Sequence, residues 1–78
     1  MNELIMQVVE NQLRDGTPPE TKQTLDRLMS DGIQEAKAKR LIACVVAGEI
    51  YEILKFKQPY NRERFVNALQ RLPVLPWE

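Results

Sequence analysis

Residues 34–57 read QEAKAKRLIACVVAGEIYEILKFK and contain no proline. At 100° per residue their apolar side chains form two stripes along a helix, so the middle of that helix is apolar on nearly every side. One stripe consists of Ala36, Ala43, Ala47, Ile50 and Leu54, and the other of Ile42, Val46 and Ile53. A helix of this length spans about 35 Å, and so much apolar surface requires neighbours. We therefore expect residues 34–57 to form the central helix of the fold.

Glycines mark the ends of two shorter helices before the central segment. Apolar residues recur every three or four positions in residues 4–14, and Gly16 is the expected left-handed stop after them. A second apolar pattern in residues 17–30 is followed by Gly32. Ile33 is then expected to pack back across this stop.

Capping residues and prolines set the other helix boundaries. Thr17 and Glu20 have the spacing of a capping box, with prolines between them that suit a first turn. Pro59 is expected to end the central helix, and Asn61 to cap a fourth helix that stops before Pro73. Residues 75–78 are expected to be an extended tail.

These segments predict an all-α fold in which residues 1–78 form a single helical domain, a compact four-helix bundle-like arrangement around the long central helix. The chain has 78 residues and is 44% hydrophobic, a composition typical of a folded globular domain. A domain of this size buries only about 60% of its unfolded surface. With one cysteine and no histidine, it can form neither an internal disulfide nor the usual zinc sites. A partner subunit is therefore an expected source of stability.

The charge and hydropathy patterns exclude several classes of protein. Eleven basic and eleven acidic side chains give a net charge of zero, so no overall field attracts a polyanion. The longest apolar run covers residues 41–47, far short of the roughly 20 residues that span a bilayer. The N-terminus shows no signal-peptide pattern. We expect a cytoplasmic protein with no membrane partner and no cofactor.

The first stripe of the central helix follows a heptad rhythm, and its small residues would allow close approach of a second helix. A second copy of the chain is one candidate for that helix, with Tyr51 near the edge of the contact. The alternative is that another helix of the same chain fills the seam. The residues expected at this interface are Ala36, Ala43, Ala47, Ile50, Tyr51 and Leu54.

Charge is distributed unevenly along the chain. Residues 1–35 carry 7 acidic and 3 basic side chains, whereas residues 36–78 carry 4 acidic and 8 basic ones. Basic side chains interleaved with aromatic rings could bind single-stranded nucleic acid. The alternative is that these basic side chains have no binding role, because basic residues are common on solvated helix faces and are favoured at helix C-termini. The candidate patch consists of Lys37, Lys39, Arg40, Lys55, Lys57, Arg62 and Arg64.

Catalysis has little support in the sequence. Glu49 interrupts an apolar neighbourhood, so it is expected either to have a raised pKa or to pair with an arginine. Glu49, Glu52 and Tyr51 would be the only basis for an enzyme, and no nucleophile or second base accompanies them. Cys44 lies in the densest apolar run and is expected to be core. There is no phosphate-binding glycine loop, calcium loop or HExxH motif.

The C-terminal segment has two interpretations. Residues 73–76 have PxxP spacing, but Gln70 and Glu78 stand where a basic flanking residue would be needed. The alternative is that Leu75 and Trp77 fold back over one end of the bundle, since they would otherwise leave an apolar patch.

Several short motifs of the chain resemble a loosely defined family of small bacterial helical proteins of uncharacterised function. These motifs are Leu28 with Gly32-Ile33, Leu41-Ile42-Ala43, Glu49-Ile50-Tyr51 with Leu54, Arg64-Phe65, and Leu69 with Leu72-Pro73. The resemblance covers about 45 residues of the chain and implies an all-helical fold and a bacterial cytosolic source, without implying an activity. Some of these proteins carry histidines where this chain has residues 36–40 without one, so any metal role that those histidines have is not expected here.

Together these patterns indicate a non-catalytic interaction or assembly module. We expect a homodimer formed through the central helix, with another protein as a further candidate partner. The alternative is a nucleic-acid-binding accessory protein that uses the basic patch.

Overall fold

The computed structural model describes residues 3–78 and contains four helices with no strand in that range. The helices are α1 (Glu3–Asp15), α2 (Pro19–Ser30), α3 (Glu35–Phe56) and α4 (Arg62–Arg71). The all-α prediction is therefore confirmed. None of the four helices is long and apolar enough to cross a membrane.

The long helix α3 is the centre of the fold, since α1, α2 and α4 all pack against it. Its buried side chains join those of the three shorter helices in one core, whose fully enclosed members include Val9, Leu28, Ile42 and Leu69. The prediction of three shorter helices around a long one is confirmed. One part of α3 nevertheless stays exposed, and that part positions the candidate site.

The predicted helix ends at Gly16 and Gly32 are correct. Both glycines have positive φ, +68° and +93°, which a residue with a side chain rarely adopts. At the second stop the Ile33 N–H donates to the Leu28 carbonyl at 3.0 Å and Gly32 N–H donates to Met29 at 3.0 Å, the pattern of a Schellman motif. Ile33 packs against the core, as expected.

The predicted capping box at Thr17 is wrong. Helix α2 begins one residue later than the box requires, so Pro18 is the N-cap and offers no side-chain acceptor. The Thr17 hydroxyl donates to the Asp15 carbonyl at 3.4 Å, and Glu20 binds Arg62 instead. The predicted cap at Asn61 is correct, because its Oδ1 accepts from the Arg64 N–H at 2.9 Å.

The C-terminal segment turns back instead of extending. The Val74 N–H donates to the Arg71 carbonyl at 2.9 Å, and Glu78 N–H donates to the Leu75 carbonyl at 3.0 Å. Leu75 packs against the core, whereas Trp77 remains 66% exposed. The folded-back interpretation is therefore correct for Leu75 and wrong for Trp77.

Candidate interaction surface

A wide groove of about 1110 Å³ lies between the C-terminal half of α3, α4 and the C-terminal segment. Tyr51, Val74, Pro76 and Trp77 contribute apolar surface to it, and Gly48 lies close to Pro76. Its charged lining residues are Glu49, Glu52, Glu63, Arg64 and Arg71. The groove therefore combines apolar and aromatic surface with both carboxylate and guanidinium groups.

An exposed apolar stripe on α3 adjoins this groove. Ile50 is 37% exposed, Tyr51 55% and Leu54 73%. Together with partly buried Ala47 they recur at three-to-four spacing on one face of the helix; we call these four residues the α3 stripe. Tyr51 and Ala47 also line the groove, so the stripe and the groove form one continuous surface.

The six residues expected at a helix seam divide between this surface and the core. Ala43 is completely buried within its own chain and cannot contact a second subunit, so its assignment to an interface is wrong. Ala36 is exposed near the start of α3, apart from the stripe. Helix α1 packs against α3, and Lys39 Nζ near the start of α3 lies 2.8 Å from Glu10 Oε1. The alternative of a seam filled within the chain therefore applies at Ala43, and contact with a second copy stays a prediction for the exposed residues.

Beside the groove, Glu49 and Arg64 form an ion pair that joins α3 to α4. Arg64 Nη2 donates to Glu49 Oε1 at 2.7 Å and Nε donates to Oε2 at 2.9 Å, while the Asn61 N–H donates to Oε1 at 3.1 Å. The Glu49 side chain is 7% exposed and that of Arg64 is 34% exposed. Of the two sequence-based expectations for Glu49, pairing with an arginine is confirmed.

This pair fixes the charge state of Glu49. The hydrogen bond from Arg64 is the main reason that the pKa of Glu49 lies below its usual value; burial opposes it and the Asn61 N–H supports it. The same contact raises the pKa of Arg64. Glu49 is therefore a stable carboxylate at neutral pH, and the raised pKa that a catalytic acid would need is not found.

Three of the seven predicted patch residues are engaged in ion pairs. Lys39 binds Glu10 and Glu35, at 2.8 and 3.1 Å. Arg62 Nη2 lies 2.9 Å from both oxygens of Glu20. Arg64 is the partner of Glu49 described above. These cations serve contacts within the chain, so the seven residues do not act as one free patch.

The other four patch residues are exposed and lie at the two ends of α3. Lys37 and Arg40 occupy its N-terminal half, and within residues 3–78 neither has an ion-pair partner. Lys55 and Lys57 lie at its C-terminal end. The Lys55 ammonium is 5.2 Å from the centre of the Tyr51 ring and 5.4 Å from that of Phe56, which holds it against its own helix.

The groove and the α3 stripe offer apolar, aromatic and charged side chains that could contact a binding partner. Among the described residues no cluster of three or more His, Cys, Asp or Glu side chains could hold a metal ion. Cys44, expected in the core, is only partly buried. The sequence reasoning missed Val74, Trp77 and Glu63 as parts of the groove; the apolar run after Pro73 was the available signal, but it does not show which side chains stay exposed.

Comparisons of the chain with protein-family models, with curated proteins and with solved structures find no match.

Proposed function

We propose that the chain is a non-catalytic assembly module that forms a homodimer through the α3 stripe. The observation that carries the proposal is the exposure of Leu54, Tyr51 and Ile50 on one continuous face next to the groove. Burying a leucine or isoleucine side chain contributes about 1.5–3 kcal/mol, and much of that contribution is unrealised at Leu54 in the single chain. Contiguous exposed apolar surface of this kind is typical of interaction sites.

A second copy is the partner that a small domain of this type needs most. The chain is too short to enclose all of α3, and the three other helices cover only part of it. A face at the middle and end of a 22-residue helix can meet its own symmetry mate, because an isologous contact uses the same patch on both copies. With the dimer we keep the sequence-based expectation of a cytoplasmic protein.

The proposal is tested by sedimentation velocity on Leu54→Glu, with Met29→Glu as the matched control. Met29 is also an exposed apolar residue near the end of a helix, but it lies on α2. We expect Leu54→Glu to be monomeric at concentrations where the unmodified chain and Met29→Glu are dimeric, because a carboxylate would be buried in the interface. A dimer that persists in Leu54→Glu would contradict the use of this stripe.

A further inference from the structure

The turn that follows α3 lies at one end of the molecule. Helix α3 has 22 residues and is about 33 Å long, and the molecule extends 36 × 26 × 22 Å along its principal axes. The helix therefore runs lengthwise, and its C-terminal end lies at one extremity. Every residue from 54 to 63 is exposed there. We call residues 55–60 the tip.

The tip combines aromatic rings with cations. Phe56 and Tyr60 are each 52% exposed, and Lys55 and Lys57 are exposed on either side of Phe56. Neither lysine has an ion-pair partner in the part of the chain that the structure describes. The sequence from position 53 to position 62 contains no acidic residue. The tip is therefore locally cationic on a chain whose net charge is zero.

The carboxylates on the neighbouring elements are engaged elsewhere. Glu20 binds Arg62 and Glu49 binds Arg64, so each of these pairs carries no net charge. Glu52 and Glu63 line the groove. The positive charge of the two tip lysines is thus available to a partner outside the chain.

The tip is distinct from the α3 stripe. At 100° per residue, Phe56 lies about 160° around α3 from Leu54. A second copy bound to the stripe therefore leaves Phe56 exposed. Tyr60 lies beyond the turn, which Lys57 makes with a φ of 52°, and its ring packs against Phe65 with 6.1 Å between the ring centres.

We propose that the tip binds the surface of an anionic lipid bilayer, with Phe56 and Tyr60 among the headgroups and Lys55 and Lys57 against lipid phosphates. Aromatic rings favour the membrane interface, and lysines near an anionic leaflet are attracted to it. A fluid bilayer can close around a protruding end of a molecule and contact rings that lie on either side of a turn. Binding of single-stranded nucleic acid uses a basic groove that follows the backbone, whereas this surface protrudes.

Insertion of this kind is shallow. It reaches about 5–10 Å into the headgroup boundary and needs no spanning helix, in keeping with the finding that none of α1–α4 could cross a membrane. The inference goes beyond the proposed homodimer. It replaces the sequence-based expectation of no membrane partner, which was based on the absence of a long apolar run.

Flotation with vesicles tests the proposal. We expect the unmodified chain to float with phosphatidylcholine vesicles that contain about 30% phosphatidylglycerol, and to bind vesicles of phosphatidylcholine alone much more weakly. Changing both Lys55→Gln and Lys57→Gln should lower the partition coefficient about thirtyfold, since each lysine near the surface contributes about fivefold. Phe56→Ser should lower it about tenfold, because an apolar ring is lost from the interface.

Two matched controls carry the same changes away from the tip. Met29→Ser removes an apolar side chain that is 41% exposed on α2. Lys37→Gln removes an exposed, unpaired cation at the opposite end of α3. Both are expected to leave the partition coefficient unchanged. The substituted side chains are exposed, so all variants should keep their helical content, which circular dichroism checks.

A spectroscopic measurement locates the contact. With Trp77→Phe as background, Phe56→Trp should shift its fluorescence emission to shorter wavelength when the anionic vesicles are added, because the ring leaves water. No flotation, equal losses in the controls, or an unshifted emission would overturn the proposal. Binding of a single-stranded oligonucleotide in place of vesicles would also overturn it. Because Phe56 lies off the stripe, the oligomeric state of the chain decides the proposed homodimer separately.

Discussion

Arg64 contacts Glu49 through two of its nitrogens, with the shorter contact at 2.7 Å, and thereby fastens α4 to α3 at the edge of the groove. The same carboxylate accepts the N–H of Asn61, the residue that caps α4. One buried glutamate therefore organises both the helix–helix contact and the start of α4. The position of the groove depends on this arrangement.

Glu49→Gln is expected to lower the free energy of unfolding by about 2 kcal/mol. A neutral amide cannot replace the charge-assisted hydrogen bonds from Arg64, which are typically worth about 1.5–3 kcal/mol, and the exposure of Arg64 keeps the loss below that of a fully buried pair. Urea denaturation measures the effect. Glu63→Gln is the control, because Glu63 is exposed and forms no salt bridge within the described residues; equal losses in the two variants would refute this role of Glu49.

The same pair predicts how stability depends on pH. Because the pKa of Glu49 in the folded chain is lower than the ordinary glutamate value of 4.5, the folded state favours the ionised form. The stabilisation by Glu49 is therefore fully present above that value and is lost as the pH falls toward the folded pKa. The difference in unfolding free energy between the unmodified chain and Glu49→Gln should shrink below about pH 4.5. A difference that stays constant from pH 7 to the acid transition would contradict this linkage.

One substitution at Asn61 and one at Thr17 distinguish the observed helix N-cap from the residue that only resembles one in the sequence. Asn61→Ala should cost about 1 kcal/mol, because the Arg64 N–H loses its side-chain acceptor. Thr17→Ala should cost less than about 0.5 kcal/mol, since its hydroxyl accepts no N–H of α2, makes only a long 3.4 Å contact to the Asp15 carbonyl, and lies on an exposed residue. Thermal or urea unfolding compares them. A larger loss at Thr17 than at Asn61 would reverse the assignment.

Gly48→Ala is expected to stabilise the fold by about 0.5–1 kcal/mol. Gly48 lies inside α3, where glycine costs about that much relative to alanine. An added Cβ would meet only Pro76 Cγ, at an ordinary contact distance of 3.9 Å. The measurement is the urea midpoint with an unchanged m-value. Destabilisation would show that this part of the groove is packed more tightly than the structure indicates.

Local chemistry made the helices predictable from the sequence. Helix stops and caps act over only a few residues: a glycine ends an apolar helical pattern, and an asparagine accepts the N–H group three residues later. Gly16, Gly32 and Asn61 behave as these rules predict. The capping box failed because two consecutive prolines moved the N-cap from Thr17 to Pro18.

Such local patterns could not predict contacts between residues that are far apart in the sequence. Heptad spacing placed Ala43 and Leu54 on one stripe, yet the other helices bury Ala43 completely and leave Leu54 73% exposed. Arg27 donates to the carbonyls of Leu69 and Leu72, more than 40 residues away. Nothing in the spacing of the sequence selects those partners, because they depend on how α2 and α4 meet.

The molar mass of the unmodified chain in solution tests the central claim most directly. Light scattering on a sizing column, over about a hundredfold range of concentration, follows the association by mass action. We expect twice the chain mass of 9.1 kDa at the higher concentrations, with dissociation only on dilution. A mass of one chain at every concentration would contradict the homodimer and leave the α3 stripe without its proposed partner.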